Sequence, residues 1–374
     1  MTDIAACIAF LNEADRLKCV DRANVLMDNS RPENSAEHSW HVALYALVFG
    51  ASDRTIAMIL LHDLVEIDCG DHPIHLPCDP GAVQAGEEAA ARRLFAMLPQ
   101  GDALLALWHE FEAGESEDAR MAKRMDHVQP LFQVLLAKAP RPDHLQIVRD
   151  NLDDGRAARL VHEWPEAMAA ARALLKGTLL PEGDLSRRLH FLATADELKT
   201  VIRAGRVCGN TRGENSAEHS WHLALYALVL AGLAGEGVDA ARVIRMLILH
   251  DLVEIDTGDV PIHANNGASH HSDAQMAAES AAADRIFGLL PAAEGQALRA
   301  IWDEFEGAAS PDAIFAKALD RVQPVVLNLA NDGGTWRDFD VTHKQLVERV
   351  GIQIARGSEP LWHWLDVQTR AFLT

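Results

Sequence analysis

Basic residues are scarce in this chain of 374 amino acids: 34 Lys and Arg stand against 55 Asp and Glu, a formal charge of -21. A field of that sign repels phosphate polymers and anionic lipid surfaces, which excludes nucleic acid and membranes as default partners. An anionic substrate must then be received by local positive charge, from a metal ion or a few placed Arg and Lys side chains. Cysteine is sparse too. Its five copies, Cys7, Cys19, Cys69, Cys78 and Cys208, are odd in number and show no CxxC spacing. That excludes a disulfide framework and a thiolate zinc site, and fits a reducing compartment. Long apolar runs are missing, since the most apolar segment, Leu223 to Leu233, is about half of what a bilayer crossing needs. The amino terminus carries Asp3 and a short apolar stretch without a basic region or cleavage signal, so the expected location is the cytoplasm.

What remains is ordinary globular composition, 49% hydrophobic and 24% charged, in a chain long enough for two to three domains. Internal repetition decides among these. Residues 33–48 read ENSAEHSWHVALYALV and residues 214–229 read ENSAEHSWHLALYALV, differing only at Val42 against Leu223. MILLHDLVEIDCGDHPIH from Met58 recurs as MLILHDLVEIDTGDVPIH from Met246, and a weaker block from Leu107 recurs from Ile301. The offsets are 181, 188 and 194, so the second half has gained residues twice, around Ala231 to Val238 and between Pro261 and Ser280, as loops permit. Phe10-Leu11 matches Phe191-Leu192 at the first offset, and Gly177, Pro181 and Gly183 break the pattern between the copies. The reading is two tandem domains, 1–180 and 185–374.

Periodicity within each half is helical, as in Glu87 to Leu98, Ala103 to Phe111 and Trp164 to Leu175. No alternating β-branched run reads as a strand. The expected fold class is all-α, with five to seven helices per domain.

A His-Asp dipeptide carries little weight alone, because 18 His and 31 Asp in this chain produce about 1.5 such pairs by chance, the usual risk of a short motif. His62-Asp63 and His250-Asp251 gain weight from context. Each follows a histidine at a helix start, His38 or His219, and precedes a helical aspartate, Asp126 or Asp320, by 63 or 69 residues. Glu66 and Glu254 follow the pair's histidine by four, the spacing that shares a helical face. Arg22 and Arg203 each stand 16 residues before the first histidine, where a guanidinium could fork onto a substrate phosphate. Lys123 and Lys317, three before the distal aspartate, could contact phosphate or pair with acids.

This constellation resembles the HD-domain metal-dependent phosphohydrolase superfamily, in the branch of bacterial and eukaryotic 5'-deoxynucleotidases. The resemblance covers nearly all of each half through the histidine of AEHS, the His-Asp pair, the EIDxGD continuation, the aspartate of KRMD and KALD, and the arginine of LKCVDR and LKTVIR. It implies an all-α tandem of two helical HD domains, each holding one divalent metal ion. The implied ligands are His38, His62, Asp63 and Asp126 in one half, and His219, His250, Asp251 and Asp320 in the other. Two imidazoles and two carboxylates form a mixed set that suits a borderline divalent ion but does not separate Mn, Co, Fe, Ni, Zn and Mg. The resemblance further implies Glu66 and Glu254 as general acid/base and Asp71 and Asp259 as a second catalytic carboxylate. Gly-Asp-x-Pro is equally ordinary turn chemistry.

The expected activity is hydrolysis of a phosphomonoester, most simply a nucleoside 5'-monophosphate, by water on the metal. Ala23 and Ala204 depart from the family, which places a large aromatic residue after the arginine to help select the sugar. Two other readings stand beside this one. A diiron oxygenase would need further histidines, for which His75, His263, His109, His270 and His271 are the candidates. A nucleotide-sensing module would use the metal only to organise a pocket. His41 and His222 are read as packing beside the site. Single-domain relatives usually pair as homodimers, so the chain is expected either to imitate one with pseudo-twofold halves joined through Ala43 to Val48 and Ala224 to Val229, or to form a homodimer itself.

Overall fold

The computed structural model describes residues 3–261 and 272–373. The first half runs α1 (Ile4–Ala14), β1 (Asp21–Val25), β2 (Pro32–Asn34), α2 (Ser35–Val48), α3 (Asp53–Leu61), α4 (Glu66–Cys69), α5 (Pro80–Phe95), α6 (Gly101–Ala113), α7 (Glu117–Leu135), α8 (Pro142–Asp154), α9 (Arg156–Glu163) and α10 (Pro165–Leu175). The second runs α11 (Asp184–Ala195), β3 (Ile202–Arg206), β4 (Gly213–Asn215), α12 (Ser216–Leu230), α13 (Ala240–Leu249), α14 (Glu254–Thr257), α15 (Asp273–Phe287), α16 (Ala292–Gly307) and α17 (Pro311–Ala330). It closes with α18 (Gly334–Asp338), α19 (His343–Leu346), α20 (Ile352–Gly357) and α21 (Glu359–Phe372). The fold is helical, as expected. The helices outnumber the expectation because several, such as α4 and α19, are a single turn and offer no periodicity to read.

Two short antiparallel hairpins, β1 with β2 and β3 with β4, correct the expectation of no strands. DRANV and PEN show no apolar alternation because backbone pairing alone makes them strands, turned by Asn29 at a φ of 62°. Each hairpin delivers the chain into the central helix of its half. Asn34 and Asn215 cap α2 and α12 in full capping boxes with Glu37 and Glu218.

Those central helices are buried along almost their whole length and pack on each other, so the halves meet through α2 and α12. Bonds across the junction come in pairs. Trp40 Nε1 donates to the Ile248 carbonyl at 3.0 Å, and Trp221 Nε1 to that of Leu60 at 3.2 Å. Asn34 Nδ2 donates to Glu218 and Asn215 Nδ2 to Glu37, both at 2.8 Å. Such recurrence is the mark of a pseudo-twofold axis between α2 and α12.

His62-Asp63 lies in a 3-10 turn, Asp63 within His62–Val65, which ends α3 and leads into α4, whereas the spacing argument assumed one continuous α-helix. The cause is local. His62 Nδ1 donates to the Ile59 carbonyl at 2.7 Å, the acceptor a continuing helix would offer the Asp63 amide. Further along, Pro130 and Pro324 sit inside α7 and α17. Each removes the donor for the carbonyl four residues back, which belongs to Asp126 or Asp320.

Candidate metal centre

Each half gathers its predicted residues at one place. His38 Nε2 lies 3.1 Å from Asp126 Oδ1 and 3.9 Å from Asp63 Oδ2, while His62 Nε2 lies 3.2 Å from Asp63 Oδ1 and 3.6 Å from Asp126 Oδ1. The second half repeats this with His219 Nε2 at 3.3 Å from Asp320 and His250 Nε2 at 3.0 Å from Asp251. Ligand atoms of His38, His62 and Asp126, and of His219, His250 and Asp320, fall within 4.8 Å of one another. Asp63 and Asp251 close the rim, each with one oxygen on the arginine of its half.

Tautomers follow from the partners. His62 and His250 give their Nδ1 hydrogens to the Ile59 and Leu247 carbonyls, which leaves Nε2 as a bare lone pair. That atom is buried and makes no hydrogen bond in either residue. Trp108 and Trp302 donate to the carbonyls of the same histidines, at 3.2 and 3.1 Å, and Phe111 and Phe305 pack edge-on against the rings. Burial and Arg22 push the His38 imidazole down, yet Asp126 and Glu33 outweigh them and carry it up to about 9. An unpartnered Nε2 facing convergent carboxylates is a donor set that fits a divalent cation.

Arg22 stands on β1 among three carboxylates, 2.8 Å from Asp63, 3.5 Å from Glu66 and 3.8 Å from Asp71. Arg203 likewise meets Asp251 at 2.6 Å, Glu254 at 3.2 Å and Asp259 at 3.5 Å. Asp71 and Asp259 reach back because Gly70 and Gly258 turn the chain with φ of 74° and 71°, a conformation that side chains disfavour. Both aspartates also accept from the strand backbone, Asp71 from the Ala23 amide and Asp259 from that of Ala204, at 3.3 Å. Burial raises the Glu66 carboxyl to about 8, with Asp63 and Asp71 adding to the rise and Arg22 opposing it. Glu254 is raised for the same reasons.

Lys123 lies over the Phe111 ring and 3.7 Å from Glu112, and Lys317 lies over Phe305 and 2.9 Å from Glu306. Their acids come from the neighbouring helix rather than their own. Lys317 lines a cavity of about 320 Å³ in the second half, together with Arg203, Ala204, Asp251, Glu254 and Asp259. His109 is turned away onto Glu88 at 2.8 Å and His75 is exposed; neither joins the ligand cluster. His263, His270 and His271 lie outside the described residues.

Several contacts escaped the sequence reading. Ser35 Oγ donates to Glu66 Oε2, and Ser216 Oγ to Glu254 Oε2 at 2.5 Å. Glu33 Oε2 lies 3.4 Å from His38 Nδ1, and Glu214 Oε2 lies 3.2 Å from His219 Nδ1. Their signal was present, since ENSAEH is identical in both copies although only its histidine is given a role by the sequence.

A model of the HD domain family matches the chain twice, over residues 14–168 and 195–362. Among curated proteins, the 5'-deoxynucleotidase HDDC2 of Homo sapiens is 30% identical over 157 residues, covering 40% of this chain and 74% of that protein. The Bos taurus protein of the same name is 28% identical over 174 residues, covering 43% and 82%. A solved structure described as a predicted metal-dependent phosphohydrolase from Magnetospirillum magnetotacticum MS-1 is 39% identical, covers 51% of this chain and 95% of its own, and superposes with a TM-score of 0.47. Both family matches enclose a complete His, His-Asp, Asp set, and the chain belongs to the HD domain family, carrying its domain twice.

Proposed function

We propose that the protein is a metal-dependent phosphomonoesterase acting on nucleoside 5'-monophosphates, with one site in each of the halves 1–180 and 185–374. The observation that carries this reading is the convergence, in both halves, of two histidine Nε2 atoms, one of them without a hydrogen-bond partner, and two aspartates beside a half-buried arginine and a glutamate. His38, His62, Asp63 and Asp126, and their counterparts His219, His250, Asp251 and Asp320, would hold one divalent ion each. Such an ion supplies Lewis-acid charge to phosphoryl oxygens and makes water a usable nucleophile at neutral pH.

The chain's own groups do the rest. Arg22 and Arg203 are cations fixed among carboxylates, placed to exchange part of that pairing for a phosphate as it enters. They provide the local positive charge that a chain of net charge -21 otherwise lacks. Glu66 and Glu254, raised by burial, hold a proton near neutrality and serve as general acid toward the leaving alcohol. Ser35 fixes Oε2 of Glu66, which leaves Oε1 to carry or receive the proton. Asp71 and Asp259 hold the arginine-bearing strand against the site. Lys317 lines the cavity with Arg203, and it and its counterpart Lys123 would add charge for the phosphate.

Relatives named 5'-deoxynucleotidase support the nucleotide class, while Ala23 and Ala204, small beside the arginine, favour a roomier sugar pocket than the family's aromatic allows. Five cysteines without a disulfide among them fit work in a reducing cytoplasm, and no helix among the described residues is long and apolar enough to cross a membrane.

Metal-loaded full-length protein offered a panel of nucleoside 5'-monophosphates, their 2'-deoxy forms and small phosphomonoesters should release phosphate. The double variant Glu66→Gln, Glu254→Gln should keep its metal and lose turnover. Nucleotide binding without phosphate release would make the protein a sensing module. Two irons per domain with oxygen consumption would make it an oxygenase.

A further inference from the structure

Two lysines, Lys18 and Lys199, are fully buried, and neither belongs to the machinery described above. An ammonium out of water must be paired and hydrogen-bonded to persist. Lys199, on the turn after α11, bonds Asp196 of its own half, then crosses the junction to Glu33 Oε1 at 2.6 Å and His41 Nδ1 at 3.0 Å. Lys18 mirrors it, bonding Asp15 of its own half and crossing to Glu214 Oε1 at 2.5 Å and His222 Nδ1 at 3.0 Å. A lysine can only donate, so Nδ1 of His41 and of His222 accepts, and each Nε2 hydrogen goes to a carbonyl of the other half, Leu192 or Leu11. The groups Asp15, Glu214, His222 and Glu33, His41, Asp196 have the spacing of metal-ligand clusters, but an ammonium fills each of them.

The glutamates in these clusters face two ways. Glu33 meets Lys199 with Oε1 and His38 Nδ1 with Oε2, and Glu214 meets Lys18 with Oε1 and His219 Nδ1 with Oε2. A carboxylate behind a ligand histidine fixes its tautomer and ring orientation, and such partners typically change metal affinity about 10–100-fold when lost. Here that carboxylate is itself without solvent, and the buried ammonium of the other half fixes the position of its Oε1.

We propose that each half positions the metal-ligand histidine of the other, Lys199 acting on His38 through Glu33 and Lys18 acting on His219 through Glu214. The proposal rests on the reading of these histidines as metal ligands. Lys18 and Lys199 are positioning residues, and duplication has built each site from both halves although all its ligands come from one.

The test uses the full chain with one site disabled. Asp251→Ala leaves the first site to be titrated with Co²⁺ alone, and Asp63→Ala leaves the second, each followed by calorimetry and by Co²⁺ absorption. In the first background Lys199→Met should weaken Co²⁺ about 10–100-fold, while in the second it should change binding by less than about threefold. Lys18→Met should do the reverse. A merely structural role would lower both sites alike, or neither, and either result overturns the proposal. Where Lys199→Met fails to fold, Lys199→Met with Glu33→Gln removes both charges together. That pair should fold and still bind Co²⁺ weakly at the first site, since a neutral amide orients His38 less firmly. Full affinity in the pair would reduce Lys199 to a counter-charge and overturn the proposal as well. No Co²⁺ bound in either parent background would instead remove the metal reading itself, and this proposal with it.

Discussion

The two halves share their proposed ligand sets, their capping boxes and the paired junction bonds of Asn34, Trp40 and their counterparts, yet they differ beside the distal aspartate. In the second half Arg321 donates to Asp320 Oδ2 at 2.9 Å and to Gln353 at 3.1 Å; in the first, the residue after Asp126 is His127, whose imidazole burial holds below its ordinary range. The wall differs as well. In the second half α17 packs on α20, and Trp336, Phe339 and Arg356 line the cavity, whereas in the first α7 packs on α8 and α9. Asp320 is 9% exposed and Asp126 19%, so the second site is the more enclosed. The proposed ligands, and Asn34, Glu37 and Trp40 with their counterparts at the junction, are identical in the two halves. Positions that shape the pocket differ, so on the function proposed above the two sites would share one chemistry and differ in substrate fit.

The strongest test of this comparison removes one site. Asp63→Ala should lose one metal ion per chain and leave the second site filled, with Asp251→Ala doing the converse, because no first-sphere ligand is shared between the halves. Elemental analysis showing both ions gone would mean composite sites; both retained would mean that Asp63 is not a ligand. The next effect concerns symmetry. Trp40→Ala and Trp221→Ala each empty a fully buried position and delete a cross-junction donor, and each should cost about 3–5 kcal/mol. Urea denaturation should give similar losses in one cooperative transition, and two separate transitions would show that the halves do not stabilise each other.

A smaller effect probes the asymmetry. Arg321→His gives the second half the residue of the first and should weaken metal at that site about tenfold, the range expected for losing a charge-assisted bond, while the first site is unchanged. Metal titration in the Asp63→Ala background reads it, and an unchanged affinity would leave Arg321 without a part in the difference.

The smallest effect lies on the axis. Burial lifts the Glu37 carboxyl from 4.5 to about 7, Glu218 adds to the rise, and Arg31 and Lys199 hold it back. The folded state therefore binds more protons than the unfolded chain between those values, so this group's contribution to stability falls as pH rises through that window. Glu37→Gln lacks the term. Its melting temperature relative to the unsubstituted protein should accordingly improve by about 2–4 °C between pH 5 and pH 8, and a constant difference would show that Glu37 does not titrate there.

Much of the site was legible because its evidence is doubled. His62-Asp63 alone is chance-level, but the same pair in the same order with His38 and Asp126, found again with His219 and Asp320, is not. The helices were legible from their period. The hairpins were not, since DRANV carries no apolar alternation and pairs through its backbone. The 3-10 turn at His62 was hidden for a related reason: a side chain takes the carbonyl that the helix would have used, and spacing alone assumes the helix continues.

Residue identity and order by themselves determined the duplication, the helical class and which imidazoles and carboxylates belong together, because these depend on local period and on motifs that recur whole. Tertiary structure alone decided where buried charge is neutralised. Lys18 and Glu214 are 196 residues apart, and Lys199 and Glu33 are 166 apart; nothing in either neighbourhood names the other. Their pairing exists because α2 and α12 pack face to face and exclude water, and a charge deprived of water takes the partner that folding places beside it, whichever half of the chain supplies it.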